Sequence, residues 1–247
     1  MRFCLTLQLK DKVVPIEYRR IILSYIKNAL SKCDDGKYYE EFFKDTKQKN
    51  YCFSVILSKA KFTKDEILLD KDEIKILFST DNNYRTGVIF YNSFIVQRNK
   101  PYPLPNNNFM TLKSINNQKR EEISNSRAIF KTTLGSGLCV RDHDMETNKD
   151  TYYVYSDNEF REKLNIVLIN QLLNVGFTKK EAEDLKVNFI QGKKVVVKHY
   201  RRYIDTTTGL FEVQGNNKIL QHFYDVGMGS RKSMGFGMID LVTQDLL

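Results

Sequence analysis

Apolar and polar residues alternate from the start of the chain. Phe3, Leu5, Leu7 and Leu9 share one face, and Arg2, Thr6, Gln8 and Lys10 the other, the period-2 pattern of a half-buried strand. The period then lengthens. Ile21, Ile22, Tyr25, Ile26, Ala29 and Leu30 fall at helical spacing and give one apolar stripe. Pro15 suits the first turn of that helix, and Gly36 of Asp34-Asp35-Gly36 suits its C-terminal cap. Tyr51, Phe53, Val55 and Leu57 predict a second strand. Ile74 to Ser79 and Thr86 to Val96 predict two more, joined through an Asp81-Asn82-Asn83 turn.

Between Lys100 and Glu122 the periodicity weakens, with Pro101, Pro103 and Pro105 followed by a run of asparagines. A domain boundary is expected here, dividing the chain into residues 1–120 and 121–247. The second half restarts the pattern. Ala128 to Thr132 and Tyr152 to Tyr155 read as short strands, and Phe160, Leu164, Val167, Leu168 and Leu172 as a helix ending at Gly176. Two long strand-like runs follow, Leu185 to Tyr200 and Tyr203 to Val213. A short helix through Ile219, Leu220, Phe223 and Tyr224 precedes a last strand, Phe236 to Val242. This βαββαβ order is that of a ferredoxin-like, RRM-like unit. The expected fold is α+β, with two such domains in tandem, although the second helix of the first copy is not visible in the pattern. The competing reading is an α+β protein without an internal repeat.

The 39 Lys and Arg against 30 Asp and Glu leave a formal charge of +9, which favours an anionic partner. No stretch approaches the roughly 18–20 uninterrupted apolar residues of a membrane span, so no membrane association is expected. Cys4, Cys33, Cys52 and Cys139 are widely spaced and form no C-x-x-C pair. They read as reduced, buried thiols of a cytoplasmic protein. Asp142, Asp144 and Glu146 hint at a calcium loop, but the required glycine is missing. No metal or cofactor is expected.

The densest motif is a glycine-rich loop, residues 227–237, with Gly227, Gly229, Gly235 and Gly237 around Arg231 and Lys232. It follows a helix and precedes a strand, unlike a P-loop or Rossmann loop, so a helix N-terminus cannot supply anion binding. Free backbone N–H groups and the two cations would have to do so. A tight, solvent-exposed turn with incidental cations fits the spacing equally well.

The stretch Gly227-Met228-Gly229-Ser230-Arg231-Lys232-Ser233-Met234-Gly235-Phe236-Gly237-Met238 resembles the C-terminal glycine-rich signature of the repeat-associated RNA-processing (RAMP) superfamily. It is most similar to that of the sixth CRISPR-associated family, the endoribonucleases that process precursor guide RNA. Ile129-Phe130-Lys131-Thr132 with Val140-Arg141-Asp142-His143, Val195 to Tyr200, Gly209-Leu210-Phe211 and the opening strand also fit, so the resemblance spans most of the chain. It implies binding of CRISPR repeat RNA by Gly227, Gly229, Arg231, Lys232, Gly235 and Gly237. It also favours RNA contact by the basic run Gly192 to Arg202 through Lys194, Lys198, His199, Arg201 and Arg202, where a lysine-protected hairpin edge is the alternative.

The reaction implied is metal-independent: the ribose 2′-hydroxyl attacks the adjacent phosphate, leaving a 2′,3′-cyclic phosphate and a 5′-hydroxyl. Many members of the family place a histidine shortly after the first helix, with a tyrosine and a lysine nearby. Residues 37–49 contain no histidine, and Phe42 or Phe43 stands in its place. Lys49, just before the second strand, matches the family's lysine, and Lys27 falls near its tyrosine. Tyr38, Tyr39, Lys44 and Lys47 are further candidate donors. His143, His199 and His222 are not assigned as the general base. Loss of the usual histidine motivates the alternative, a non-cleaving repeat-RNA-binding subunit of a larger CRISPR effector complex. A monomer or a homodimer fits either reading.

Overall fold

The computed structural model describes residues 1–45, 47–81 and 84–245. In chain order the first half comprises β1 (Arg2–Leu9), β2 (Val13–Pro15), α1 (Tyr18–Ser31), α2 (Tyr39–Phe43), β3 (Tyr51–Leu57), β4 (Lys61–Phe62), β5 (Glu66–Leu68), β6 (Glu73–Thr80), α3 (Tyr84–Val96), β7 (Pro101–Pro103) and β8 (Phe109–Asn117). The second comprises β9 (Arg127–Thr132), β10 (Val140–Asp144), β11 (Lys149–Tyr153), α4 (Phe160–Leu173), α5 (Lys179–Glu183), β12 (Lys186–His199), β13 (Arg202–Gln214), α6 (Asn217–Val226) and β14 (Ile239–Thr243). The principal sheets run β3-β6-β1-β8-β7 and β12-β13-β9-β14, all neighbours antiparallel. Numbering the core strands of each half from one to four, both sheets follow the order 2-3-1-4 of a ferredoxin-like unit. The fold is two such units in tandem.

The main correction falls on residues 86–96, which form helix α3 rather than a strand. Its buried side chains, Thr86, Ile89, Phe90, Ser93 and Phe94, recur at helical spacing. Phe90 and Phe94 pack on Phe78 of β6, with ring centroids 4.8 and 5.6 Å apart. This helix completes the βαββαβ order of the first half. Of the turn expected at Asp81-Asn82-Asn83, the two asparagines lie outside the described residues. Pro15 ends β2 rather than opening α1, and α1 stops at Ser31, leaving Gly36 to close a separate 3-10 turn. Pro101 and Pro103 sit in the edge strand β7, where a missing N–H costs no ladder bond. The strand expected at Tyr152 to Tyr155 is β11, which pairs with β10 as a separate hairpin outside the second sheet.

Each sheet carries its own core, one built from β1, α1, β3, β6 and α3, the other from β9, α4, β13 and α6. All four cysteines are buried free thiols. Buried polar bonds join the halves. Arg2, on the face of β1 turned away from the first core, pairs with Asp240 and lies 4.9 Å from the Tyr224 ring centroid. Arg120 makes a bidentate contact with Asp225, 2.7 Å to each oxygen. Arg19 on α1 is buried without a carboxylate. Its guanidinium donates to the carbonyls of Gly135 at 2.8 Å and of Gly235, in the glycine loop, at 3.5 Å, and lies over the Tyr18 and Phe236 rings. Removing such a buried cation would leave those carbonyls unpaired, so the first helix and the glycine loop are held in register.

Candidate functional site

A cleft of about 610 Å³ opens between the two halves. Helix α1 and the segment after α2 form one wall; α4 and the glycine loop form the other. Lys27, Lys47, Lys49, Arg141, Arg231 and Lys232 line it, against the single carboxylate of Asp45. A groove with one sign of charge between low-dielectric walls concentrates an anionic strand.

Lys49 is placed by β3, two residues upstream of Tyr51. Its Nζ donates to Asp45 Oδ1 at 2.9 Å and to the Asp45 carbonyl at 3.0 Å. That bond, opposed by burial and helped by Lys47, holds the Asp45 carboxyl below the usual range. The Lys49 side chain is only 14% exposed. An ammonium has three N–H donors, so one remains for a group in the cleft. Lys27 rests over the Phe43 ring, 4.8 Å from its centroid. Tyr39 and Lys44 do not reach the wall. Tyr39 packs on Phe43, and Lys44 pairs with Glu40 one helical turn away at 3.2 Å. Phe42 and Phe43 both line the cleft, Phe42 being otherwise buried against Phe90. Among the described residues, no histidine lines it.

The glycine loop is mostly interior. Gly229 and Arg231 reach the wall, but Gly227, Gly235 and Gly237 lie buried behind it. At Gly237, φ is +71° and a Cβ would stand 2.1 Å from the Met228 carbonyl oxygen. Two backbone segments cross there, and only glycine fits. The Gln171 amide of α4 clips the loop from outside, donating to the Gly227 carbonyl at 2.8 Å and accepting from Gly229 N–H at 3.0 Å. Lys232 departs from expectation. Its ammonium is buried without an acceptor, and burial pushes its pKa down to about 8. Its charge is therefore sequestered rather than presented to the cleft.

The β12–β13 hairpin reaches across to the first half. Its tip, Tyr200 and Arg201, adopts positive φ (49° and 61°), and Arg201 N–H donates to Glu17 Oε1 at 2.6 Å. Tyr200 lines the cleft, with the Arg20 guanidinium 5.4 Å from its ring centroid. Lys194 and Lys198 are not on the cleft wall, and Lys194 is matched by Asp205 at 2.6 Å. Arg202 borders an adjoining pocket of about 320 Å³ shared with Tyr152, His199 and Arg231. His199 is 1% exposed, with neither ring nitrogen hydrogen-bonded. Burial, reinforced by the charges of Arg231 and Arg19, pushes its pKa down to about 4. It is neutral near pH 7 and packs edge-on against Phe236. The Asp144 carboxylate closes the β10–β11 turn by accepting from Glu146 and Thr147.

Arg141 and Gln171 carried no assigned role in the sequence reading. Arg141 stood inside a family-like segment, whereas nothing in sequence marks Gln171, whose role arises from α4 packing on the loop.

Residues 117–241 match the family model for CRISPR associated protein Cas6, C-terminal. No curated protein matches the chain. Among solved structures, one described as the product of a Cas6-related gene from Pyrococcus furiosus superimposes with a TM-score of 0.79, at 20% identity over 99% of each chain. A second, described as an RAMP protein binding different RNA substrates, gives 0.79 at 21% identity over 98% of this chain and 100% of that one. A CRISPR associated protein Cas6 gives 0.71 at 20% identity, covering 98% of this chain and 99% of its own. At these identities the superpositions establish the shared tandem fold. With the family model matched across half of its length, the chain belongs to the Cas6 family of CRISPR-associated proteins.

Proposed function

We propose that this chain binds CRISPR repeat RNA in the cleft between its two ferredoxin-like domains and cuts it by attack of a ribose 2′-hydroxyl on the neighbouring phosphate. The observation that carries this reading is the wall itself, where Lys27, Lys47, Lys49, Arg141 and Arg231 face a single carboxylate. In-line attack builds negative charge on the pentavalent phosphorane, and fixed donors that meet that charge lower the barrier. Lys49 is the best placed, since Asp45 fixes its ammonium and leaves one N–H free. Lys27 and Arg231 supply further positive charge along the strand. Among the described residues no imidazole lines the cleft to take the 2′-hydroxyl proton. Rate enhancement therefore rests on orientation and charge stabilisation more than on acid–base transfer. Gly229 and Tyr200 complete the walls, Tyr200 offering a ring face on which an unpaired base stacks.

The test incubates purified protein with repeat RNA in EDTA, either all-ribose or with one 2′-deoxy nucleotide at the scissile position. The expected result is cleavage of the all-ribose strand to a 2′,3′-cyclic phosphate and a 5′-hydroxyl, with the deoxy strand bound but intact. Binding of both strands without cleavage of either would leave a repeat-RNA-binding subunit in place of the nuclease.

A further inference from the structure

A cluster outside the cleft wall explains how two of its arginines are held. Asp150 on β11 has a side chain only 10% exposed, and each of its oxygens serves a different arginine. Oδ1 accepts from Arg141 at 3.1 Å and lies 2.8 Å from His143 Nδ1. Oδ2 accepts from Arg231 at 2.7 Å and from the Tyr152 hydroxyl at 3.1 Å. The Tyr152 oxygen in turn accepts from the same Arg231 nitrogen at 2.8 Å. Burial pushes the Asp150 carboxyl up, but the His143 bond, the arginine charges and Tyr152 outweigh it and hold the pKa at about 2. The carboxylate is therefore ionised throughout the working range. Two guanidiniums share it, so the cluster keeps a net positive charge.

The backbone supplies a second observation. Arg231 adopts the left-handed conformation, φ +58° and ψ +28°, which disfavours any residue with a Cβ. The loop uses glycine at its four other positive-φ positions, Gly227, Gly229, Gly235 and Gly237. Glycine would relieve position 231 as well, so what the strain retains is the side chain.

Resting on the RNA-binding reading above, we propose that Asp150 is a positioning residue that fixes Arg141 and Arg231 as a two-guanidinium clamp for one phosphodiester of the bound strand. A free arginine loses rotamer freedom when it captures a phosphate; one already bonded to a carboxylate loses less. The sign of the effect separates this role from simple electrostatics. Removing a negative charge beside the cleft would by itself tighten RNA binding. Removing a positioning group weakens it.

Asp150→Asn replaces one oxygen with an NH2 group, so the amide can accept from only one of the two arginines. The probe is repeat RNA with a 2′-deoxy scissile nucleotide, its Kd followed by fluorescence anisotropy across a salt series. Asp150→Asn is expected to bind about tenfold more weakly, and its slope of log Kd against log salt to be shallower by roughly 0.7–1, one phosphate contact. In an Arg231→Ala background the substitution is expected to cost little more. Unchanged or tighter binding by Asp150→Asn, or losses that add in the double variant, would overturn the proposal. Should Asp150→Asn unfold, Arg231→Lys keeps the charge but gives up the planar fork, and tenfold weaker binding is expected again; wild-type affinity would overturn the clamp. The wild-type arm reports separately on the underlying reading: no preference for repeat RNA over a scrambled strand removes both, whereas preference with unaffected variants removes the clamp alone.

Discussion

Lys49→Ala is expected to slow single-turnover cleavage of repeat RNA by about 10²-fold or more, the usual cost of deleting one donor to a developing oxyanion. Affinity for the uncleavable 2′-deoxy strand should change much less. The two effects separate because of what Lys49 already does in the free protein. Asp45 offsets part of its charge, pairing with it at 2.9 Å and with Lys47 at 3.3 Å, so a ground-state phosphate gains less from it. On the proposed mechanism its one uncommitted N–H would meet charge that appears only as the phosphorane forms, and interactions made only in the transition state act on rate rather than binding. Asp45 is 43% exposed and remains solvated after the substitution, which limits the collateral loss. Rates and Kd values for wild type and variant decide the matter. Equal losses in rate and affinity would reduce Lys49 to an RNA-binding residue.

Gly237→Ala should unfold or severely loosen the protein, lowering Tm by roughly 6–12 °C for a destabilisation of about 3 kcal/mol in a chain of this length. The added methyl would stand 2.1 Å from the Met228 carbonyl oxygen, a backbone atom that cannot rotate away. That same crossing is held by the Met228 N–H, which donates to the Gly237 carbonyl at 2.8 Å. Separating the segments breaks this bond and moves the loop that carries Arg231, so RNA affinity should fall with stability. Gly176→Ala is the control. It also has positive φ, +93°, but nothing lies within 4 Å of the added carbon, leaving only a backbone cost of about 1 kcal/mol. Thermal melts of both variants check the point. Equal shifts would mean that the crossing is looser than the geometry states.

Much of the fold was legible because residues 3–9 and 51–57 alternate large apolar side chains with smaller or polar ones, although β3 buries both of its faces over residues 51–55. Residues 86–96 misled for a physical reason. Thr86, Val88, Ile89, Phe90, Phe94, Ile95 and Val96 favour strands by type. Val88 and Ile95 are exposed while Ile89 and Phe94 are buried, so apolar residues surround the helix and blur its stripe. Packing on Phe78 decides the conformation, and that contact is not local. Resemblance pointed to Lys27 and Lys49 by their places relative to the first helix and second strand, and both line the cleft. The Arg141–Asp150–Arg231 cluster was not, because the hairpin and the glycine loop meet only in space. Nor does sequence tell a presented cation from a sequestered one: Arg231 and Lys232 are neighbours and both line the cleft, yet the Lys232 ammonium is buried.

The central claim is that the RNA lies between the two domains with its scissile phosphate at Lys49. Ultraviolet crosslinking tests it most directly, using repeat RNA with a 2′-deoxy scissile nucleotide and 4-thiouridine on either side, followed by peptide mapping. Crosslinks are expected within residues 42–49 and 229–234 and at Tyr200, the two walls and the bridging hairpin tip. Crosslinks confined to residues outside the cleft, such as Lys193 and Lys194 of the hairpin arm, would contradict it.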